Sequence, residues 1–169
     1  MSDAAHVGYH LPMYDSARDF FEDARAAARD AERIATQLDG MELRSLSIGG
    51  GGFDPRVRST PDPDRIGRGV VAMLDQGERL RARQDEDYRI IDRACAVLYG
   101  RDNRSGLYAL VGWPADAIYH HYLALRTWEQ TAELLGYSVR HVRRSVCVAF
   151  DLADANGEMW TTLGVGMAE

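Results

Sequence analysis

A predicted helix that begins after Ser138 carries four basic residues in its first turns: Arg140, His141, Arg143 and Arg144. The fork of an arginine donates two parallel hydrogen bonds, which suits both guanine edges and phosphate oxygens. Ser138 and the amides after it suit a phosphate at the N-terminus of the helix. These five residues are the candidate DNA-binding site, in which Arg140, His141 and Arg144 are the candidate base readers. Arg143 suits either a base or a phosphate.

Small residues and capping residues mark the elements that must position these side chains. Ala132 and Gly136 lie four residues apart, and Val142 follows six residues later. This spacing is that of a DNA-binding helix-turn-helix, whose second helix enters the major groove. Thr127 and Gln130 form a capping-box pattern at the start of the first helix of the pair. The two helices are thus predicted to meet at a tight turn.

A further helix is predicted to begin at Pro114, because the missing N–H of proline costs nothing in a first helical turn. One side of this helix would carry Ala117, Ile118, Tyr122 and Leu125. The helix with the basic residues is predicted to bury one apolar stripe, so that its arginines face away from the core. That stripe comprises Val142, Val146, Ala149, Phe150 and Ala153. A solvated basic face on a small helical bundle is the alternative interpretation.

Two long helices are predicted before this unit. From Asp15, apolar residues recur at intervals of four and three, a heptad seam typical of helices that pack side by side. The seam comprises Phe20, Ala24, Ala27, Ala31, Ile34, Leu38 and Met41. A stretch rich in glycine and proline interrupts the pattern over 47–64, and a second helix is predicted from Asp64 to Tyr99. Its stripe comprises Ile66, Val70, Leu74, Leu80, Tyr88, Ile91, Cys95 and Leu98.

The sequence therefore predicts an all-α protein: a long, coiled-coil-like helical hairpin followed by a C-terminal three-helix helix-turn-helix unit. The predicted segments are a flexible tail (1–14), the hairpin (15–99), a connector (100–113), the helix-turn-helix unit (114–155) and a C-terminal tail (156–169). One helix-turn-helix makes few phosphate contacts, so useful affinity for DNA needs a homodimer or a higher homo-oligomer. The long helices are expected to join the copies.

Composition excludes several classes of chemistry. All 20 basic residues are arginine, so no lysine is present for a Schiff base or a P-loop. His120 and His121 are adjacent and diverge by about 100° on a helix, which prevents the usual metal-binding pair four residues apart. No nucleophile motif and no carboxylate pair in an apolar frame is present. We expect a protein that is not an enzyme and that has neither a metal nor a cofactor.

The cysteines and the apolar stretches bear on the cellular compartment. Cys95 and Cys147 lie in apolar surroundings and are expected to be buried free thiols in a reducing compartment. No stretch approaches the roughly 20 apolar residues of a membrane span, and residues 1–14 lack the pattern of a signal peptide. These features predict a cytoplasmic protein without a membrane partner.

The stretch WEQTAELLGYSVRHVRRSVCVAFDLAD, residues 128–154, resembles region 4 of sigma factors. In that family Trp/Leu-Glu-Glu-Ile-Ala is followed by Leu-Gly-x-Ser and an Arg-rich helix. The order of elements over 15–155 is similar to that of the phage-encoded, sigma-like transcriptional regulators of the RinA/ArpU group. Both have a long helix, then a Ser/Gly-rich loop, here LRSLSIGGGG, then a second long helix. An aromatic segment, here HHYLALRTW, precedes the helix-turn-helix.

The resemblance implies a protein that binds a phage or prophage promoter and controls late-gene transcription, with RNA polymerase as a further partner. Its DNA contacts would fall, position by position, on Val139, Arg140, His141, Arg143 and Arg144. Val139 departs from the family, which has a polar residue there. Thr131 and Ser145 replace apolar core residues of the family, which predicts looser packing of these two helices.

Two other functions fit the same elements. A phage small terminase subunit also joins a helix-turn-helix to a helical oligomerisation hairpin, but it acts in DNA packaging as a ring. A helical adaptor that binds protein and not DNA is the other alternative. A ring of eight or more subunits would favour packaging, whereas a monomer or dimer would favour regulation.

Overall fold

The structure, a computed structural model, describes residues 14–48, 63–101 and 105–156. The regular elements of these residues are helical, which confirms the predicted all-α fold. They are α1 (Ala17–Ile48), α2 (Pro63–Tyr99), α3 (Leu107–Val111), α4 (Trp113–Ile118) with a π-helical turn (Tyr119–Leu123), α5 (Trp128–Leu135) and α6 (Val139–Ala155). Most of the predicted loop over 47–64 and nearly all of both predicted tails lie outside the described residues.

The chain divides into two compact units. The first comprises Met1–Arg25 and Ile91–Glu169, and the second comprises Ala26–Ile90. The division therefore falls inside α1 and α2, and not at the connector predicted over 100–113. The first unit contains α3 to α6 and draws on both ends of the long-helix region.

The second unit is built on a seam of small and polar residues. Ala27, Ala31 and Ile34 of α1 are buried, as their heptad spacing predicts. From α2, Gly77 is buried, and the side-chain amide of Gln84 donates a hydrogen bond of 3.2 Å to the carbonyl oxygen of Ala31. The seam therefore accepts a polar side chain where the backbone of the other helix offers an acceptor.

The apolar stripe predicted for α2 is wrong over much of its length. Val70, Leu74 and Tyr88 are 48%, 59% and 51% exposed. The less exposed positions of α2 instead follow a heptad spacing of three and four that includes polar residues. These positions are Gly77, Leu80, Gln84, Asp87, Ile91, Ala94 and Leu98. A hydrophobic pattern cannot reveal Gly77, Gln84 and Asp87 as members of the seam, because none of them has an apolar side chain.

The first unit has an aromatic and aliphatic core. Phe20 and Phe21 of α1, Leu98 of α2 and Ile118 of α4 are fully buried. Tyr14 packs edge-on against Phe20, with ring centroids 5.1 Å apart, and its hydroxyl donates a 2.5 Å hydrogen bond to Asp23. Tyr14 is thus held in place, although it falls within the predicted flexible tail.

The predicted connector contains a helix of its own, α3. Leu107 at its start is fully buried, and Gly106 before it has φ 77°. A Cβ atom at Gly106 would lie 2.6 Å from the backbone nitrogen of Gly100 and 2.7 Å from the carbonyl oxygen of Val97. Only glycine fits this close approach to the end of α2 without a backbone shift.

The helix predicted from Pro114 ends earlier than expected. Its last part is the π-helical turn, after which the amide of Arg126 donates a 2.9 Å hydrogen bond to the carbonyl oxygen of His120. Leu125 has φ 56° and lies outside the helix, so it does not continue the side formed by Ile118 and Tyr122. Widening of the last turn brings the chain round to the start of α5.

Candidate nucleic-acid interface

Two capped helices, α5 and α6, form the turn that presents the basic residues. The hydroxyl of Thr127 accepts a hydrogen bond of 3.2 Å from the amide of Gln130, whose side chain accepts one of 2.9 Å from the amide of Thr127. Gly136 ends α5 in the left-handed conformation, at φ 74° and ψ 26°. The hydroxyl of Ser138 caps α6 by accepting a hydrogen bond from the amide of His141, at 3.3 Å. All three local predictions are confirmed.

The face of α6 opposite the arginines is anchored in the core of the first unit. The Phe150 ring stacks on that of Phe21 with centroids 5.7 Å apart, and meets Tyr122 edge-on at 5.7 Å. The buried residues of α6 are those predicted: Val142, Val146, Ala149, Phe150 and Ala153. This anchoring fixes the rotation of the helix about its axis, and with it the direction of the basic side chains.

Thr131 of α5 stands where the resembled family has an apolar core residue. The residue is fully buried, and its hydroxyl donates a 2.9 Å hydrogen bond to the carbonyl oxygen of Thr127. A buried hydroxyl with such a partner carries little penalty. Ser145 is only half-buried and lies beside the stripe.

The candidate site residues lie together at the start of α6. Ser138, Arg140, His141, Arg143 and Arg144 are all exposed. Ser138 is occupied as a helix cap, and the side chains of Arg140 and Arg144 make no ion pair or hydrogen bond with any described residue. Arg140 and Arg144 are four residues apart, so their side chains share one face of α6, and neither is paired within the part of the chain that the structure describes.

Arg143 is held differently from its neighbours. Its guanidinium carbon lies 5.8 Å from the centroid of the Trp128 ring, at the start of α5. Glu129 also lies close by: its pKa is below the usual value, chiefly because its own backbone N–H and the Thr127 hydroxyl bind the carboxylate, with a smaller contribution from the charge of Arg143. The Trp128 ring thus holds Arg143 beside the start of α5.

Trp128 in turn rests on a buried histidine. The rings of Trp128 and His121 stack with centroids 3.6 Å apart. The Nδ1 atom of His121 lies 2.9 Å from the carbonyl oxygen of Arg126, which makes Nδ1 the donor and leaves Nε2 to accept from the guanidinium of Arg25. The half-buried Trp128 thus acts as a structural anchor and as a platform for Arg143.

His141 is exposed but is packed against two aromatic rings. The centroid of its ring lies 5.3 Å from that of Tyr137 and 5.5 Å from that of Trp113, and the latter two rings stack at 4.3 Å. No sequence pattern predicts this cluster, because Trp113 is distant along the chain and joins it only through the fold. His141 therefore contributes to the turn as well as to the surface.

The predicted burial of Cys147 is wrong. It is exposed on α6, and Arg18 donates a hydrogen bond of 3.3 Å to its sulfur atom. Cys95 is half-buried, and burial raises the pKa of its thiol. Both cysteines are free, as predicted, but neither is fully buried, because each lies at the margin of an apolar stripe.

No family model, curated protein or solved structure matches this chain. Within residues 14–48, 63–101 and 105–156, no helix is both long and apolar enough to cross a membrane. The same residues contain no group of three His, Cys, Asp or Glu side chains placed to hold a metal ion.

Proposed function

We propose that the protein binds double-stranded DNA sequence-specifically, with α6 in the major groove. The observation that carries the proposal is the joint geometry of α5 and α6. The two helices are joined by a turn in which Gly136 has the left-handed conformation and Ser138 caps α6. One face of α6 is buried, and four exposed basic side chains lie at its N-terminal end. The N-terminal residues of the second helix are the ones that reach base edges in a helix-turn-helix.

The structure supports different roles for the basic residues. Arg140 and Arg144 make no ion pair or hydrogen bond with another described residue, and they are proposed to read base edges, most readily those of guanine. Arg143 lies at the helix crossing over Trp128, where a phosphate of the DNA backbone is its better partner. The first amides of α6, together with the hydroxyl proton of the capping Ser138, are proposed to bind a second phosphate. His141 is proposed to contact DNA from a position fixed by its aromatic neighbours.

The resemblance to sigma region 4 extends the proposal to regulation. Under this proposal the protein controls transcription from a phage or prophage promoter and contacts RNA polymerase. The support is the local agreement of residues 128–154 with the family pattern, together with the capped helix pair found there. The regulated genes would be late genes, as in the RinA/ArpU group.

Self-association is part of the same proposal. In the second unit Val70, Val71 and Leu74 are about half exposed or more and lie within one turn of α2. An apolar strip of this kind on a helix favours a further helix as its cover. We propose that a second copy of the chain covers it, so that two helix-turn-helix units bind one DNA site.

The decisive experiment selects bound duplexes from a random pool near physiological salt. The test variant is the double replacement Arg143→Ala/Arg144→Ala, and the matched control is Arg79→Ala, an exposed arginine of the second unit. An enriched motif is expected with the natural protein and with the control, but not with the double variant. A symmetric motif would further support a dimer.

Loss of the motif in the control, or its survival in the double variant, would contradict the proposed site. Weak binding that no sequence enriches and that falls steeply with salt would indicate phosphate attraction alone. Light scattering on the same samples separates the alternatives: a ring of eight or more copies would favour a packaging role. The absence of any DNA binding would favour the adaptor.

A further inference from the structure

A groove of about 450 Å³ runs alongside α6, where α3 and the start of α4 face it. Its size falls within the range of about 300–1,000 Å³ that is usual for small-molecule sites. The residues that line it are Leu110, Val111, Pro114, His141, Arg144, Ser145, Val148, Ala149 and Leu152. None of them is acidic, although the whole chain carries a net charge of −6.

One end of the groove is apolar and open. Leu110, Val148 and Leu152 line it, and they are 54%, 51% and 42% exposed. Its floor is formed by Pro114 and Ala149, which are buried and belong to the core of the first unit. A fixed floor between exposed aliphatic side chains gives an apolar ligand a preformed binding surface.

The other end of the groove is polar and basic. Arg144 makes no ion pair with any described residue, and Ser145 beside it offers a hydroxyl. His141 is held there by Trp113 and Tyr137. An anion at this end would meet a guanidinium without a competing carboxylate of the groove, and such charge-assisted hydrogen bonds are stronger than neutral ones.

We propose that this groove binds a small amphipathic anion: a carboxylate on an unbranched or lightly branched chain of about eight to ten carbons, whose extended length matches the roughly 12 Å of α6 between Arg144 and Leu152. The carboxylate lies at Arg144 and Ser145, and the chain lies between Leu110 and Leu152. The charge of the groove selects the anion over an amine of the same length. The aliphatic walls select a long chain over a short one, because each buried methylene adds to affinity.

The groove shares Arg144 and His141 with the DNA-binding surface, so a bound carboxylate would compete with duplex DNA. This consequence rests on the proposed function, whereas binding of the carboxylate does not. The ligand would act as an effector that lowers the affinity for DNA, by neutralising Arg144 and by occupying the space beside it.

The test is a calorimetric titration of the full chain with decanoate, below the concentration at which it forms micelles. The comparison probes are octanoate, hexanoate, decylamine and decan-1-ol. Affinity is expected to rise by up to about fourfold for each added methylene, and decylamine is expected to bind more weakly than decanoate. Arg144→Gln should weaken decanoate about tenfold and leave decan-1-ol unchanged.

Leu152→Glu should remove binding of decanoate, whereas the control Leu134→Glu, an exposed leucine on α5, should leave it intact. Circular dichroism establishes that each variant is folded. Equal affinity for decylamine and decanoate, no dependence on chain length, or binding that survives Leu152→Glu would each overturn the proposal. Decanoate that binds without reducing DNA affinity would overturn only the competition, and DNA binding without decanoate binding would leave the proposed function standing.

Discussion

The guanidinium carbon of Arg143 lies 5.8 Å from the centroid of the Trp128 ring, so a basic residue of α6 rests on the first residue of α5. A cation over an indole face is attracted by the ring quadrupole, by about 0.5–1 kcal/mol at exposed sites. The contact restricts Arg143 before any partner arrives. A side chain that is already ordered loses less entropy when it binds a phosphate.

Trp128→Leu should therefore weaken DNA binding through Arg143. We expect a loss of about two- to fivefold that is uniform across DNA sequences, and a double-mutant cycle with Arg143→Ala should show that the two effects are not additive. The measurement is affinity for a selected duplex as a function of salt, in which Arg143→Ala lowers the slope by about one. Additive losses would show that the platform plays no part.

Gly106 and Gly112 provide a matched test of close packing at α3. Both have positive φ, at 77° and 69°, but only a Cβ at Gly106 would collide with backbone atoms. Gly112→Ala should cost about 1–3 kcal/mol in unfolding free energy from backbone strain alone. Gly106→Ala should cost a further 1–3 kcal/mol or so, because the end of α2 must shift. Urea unfolding measures both, and equal losses would contradict the predicted collision.

Asp87 places a carboxylate in the seam of the second unit. Burial, and then the charge of Asp30, raises its pKa, and its buried Oδ2 atom has no hydrogen-bond partner among the described residues. Asp87→Asn should raise the unfolding free energy at pH 7 by up to about 1 kcal/mol. The gain should shrink as pH falls, because the protonated carboxyl of the natural protein loses the same penalty. Asp85→Asn, at an exposed neighbouring position, should change little at any pH.

The stability of the protein is expected to depend on pH through His120. Burial, followed by the charge of Arg126, lowers its pKa below the usual 6.5, and its buried Nδ1 atom has no hydrogen-bond partner within the ranges that the structure describes. The folded chain therefore favours the neutral ring. Its contribution to stability is complete above about pH 6.5 and is lost as the pH falls towards the folded pKa. Chemical unfolding between pH 7 and 5 should show a decline in the unfolding free energy that is smaller in His120→Gln. An unchanged decline in the variant would exclude this histidine as the source of the pH dependence.

The strip of Val70, Val71 and Leu74 predicts how the chain self-associates. The double replacement Val70→Glu/Leu74→Glu should reduce the sedimentation mass to that of a monomer, because it places charges in an apolar contact. The control Gln76→Glu also adds a charge at an exposed site on the same helix, but it should leave the sedimentation mass unchanged. A natural protein that sediments as a monomer at all concentrations would contradict the proposed dimer.

The helix-turn-helix was predictable because its signals are local. Thr127, Gly136 and Ser138 act within three or four residues of their own position, and each has the predicted conformation or hydrogen bond. The buried stripe of α6 follows from the helical repeat, which gives the right five residues. The basic character of its opposite face was therefore also predictable.

Other features depend on contacts that are distant along the chain. Gln84 lies in the seam because the carbonyl oxygen of Ala31 accepts its hydrogen bond, and no hydrophobic pattern reveals that. The packing of His141 against Trp113 depends in the same way on how α4 approaches α6. Capping signals fix where a helix starts, but the partner of each face is set by the whole fold.

The amide of Ala17, at the start of α1, donates a 2.7 Å hydrogen bond to the carboxylate of Asp154, 137 residues later. Ribosomes add about 5–20 residues per second, so roughly 7–30 s separate the synthesis of these two residues. During that interval the apolar face at Phe21 has no Phe150 to cover it. A nascent chain therefore cannot hold the arginines of α6 in their folded orientation until almost all of α6 has left the ribosome, and shortened products of synthesis would leave this apolar face exposed and be prone to aggregate.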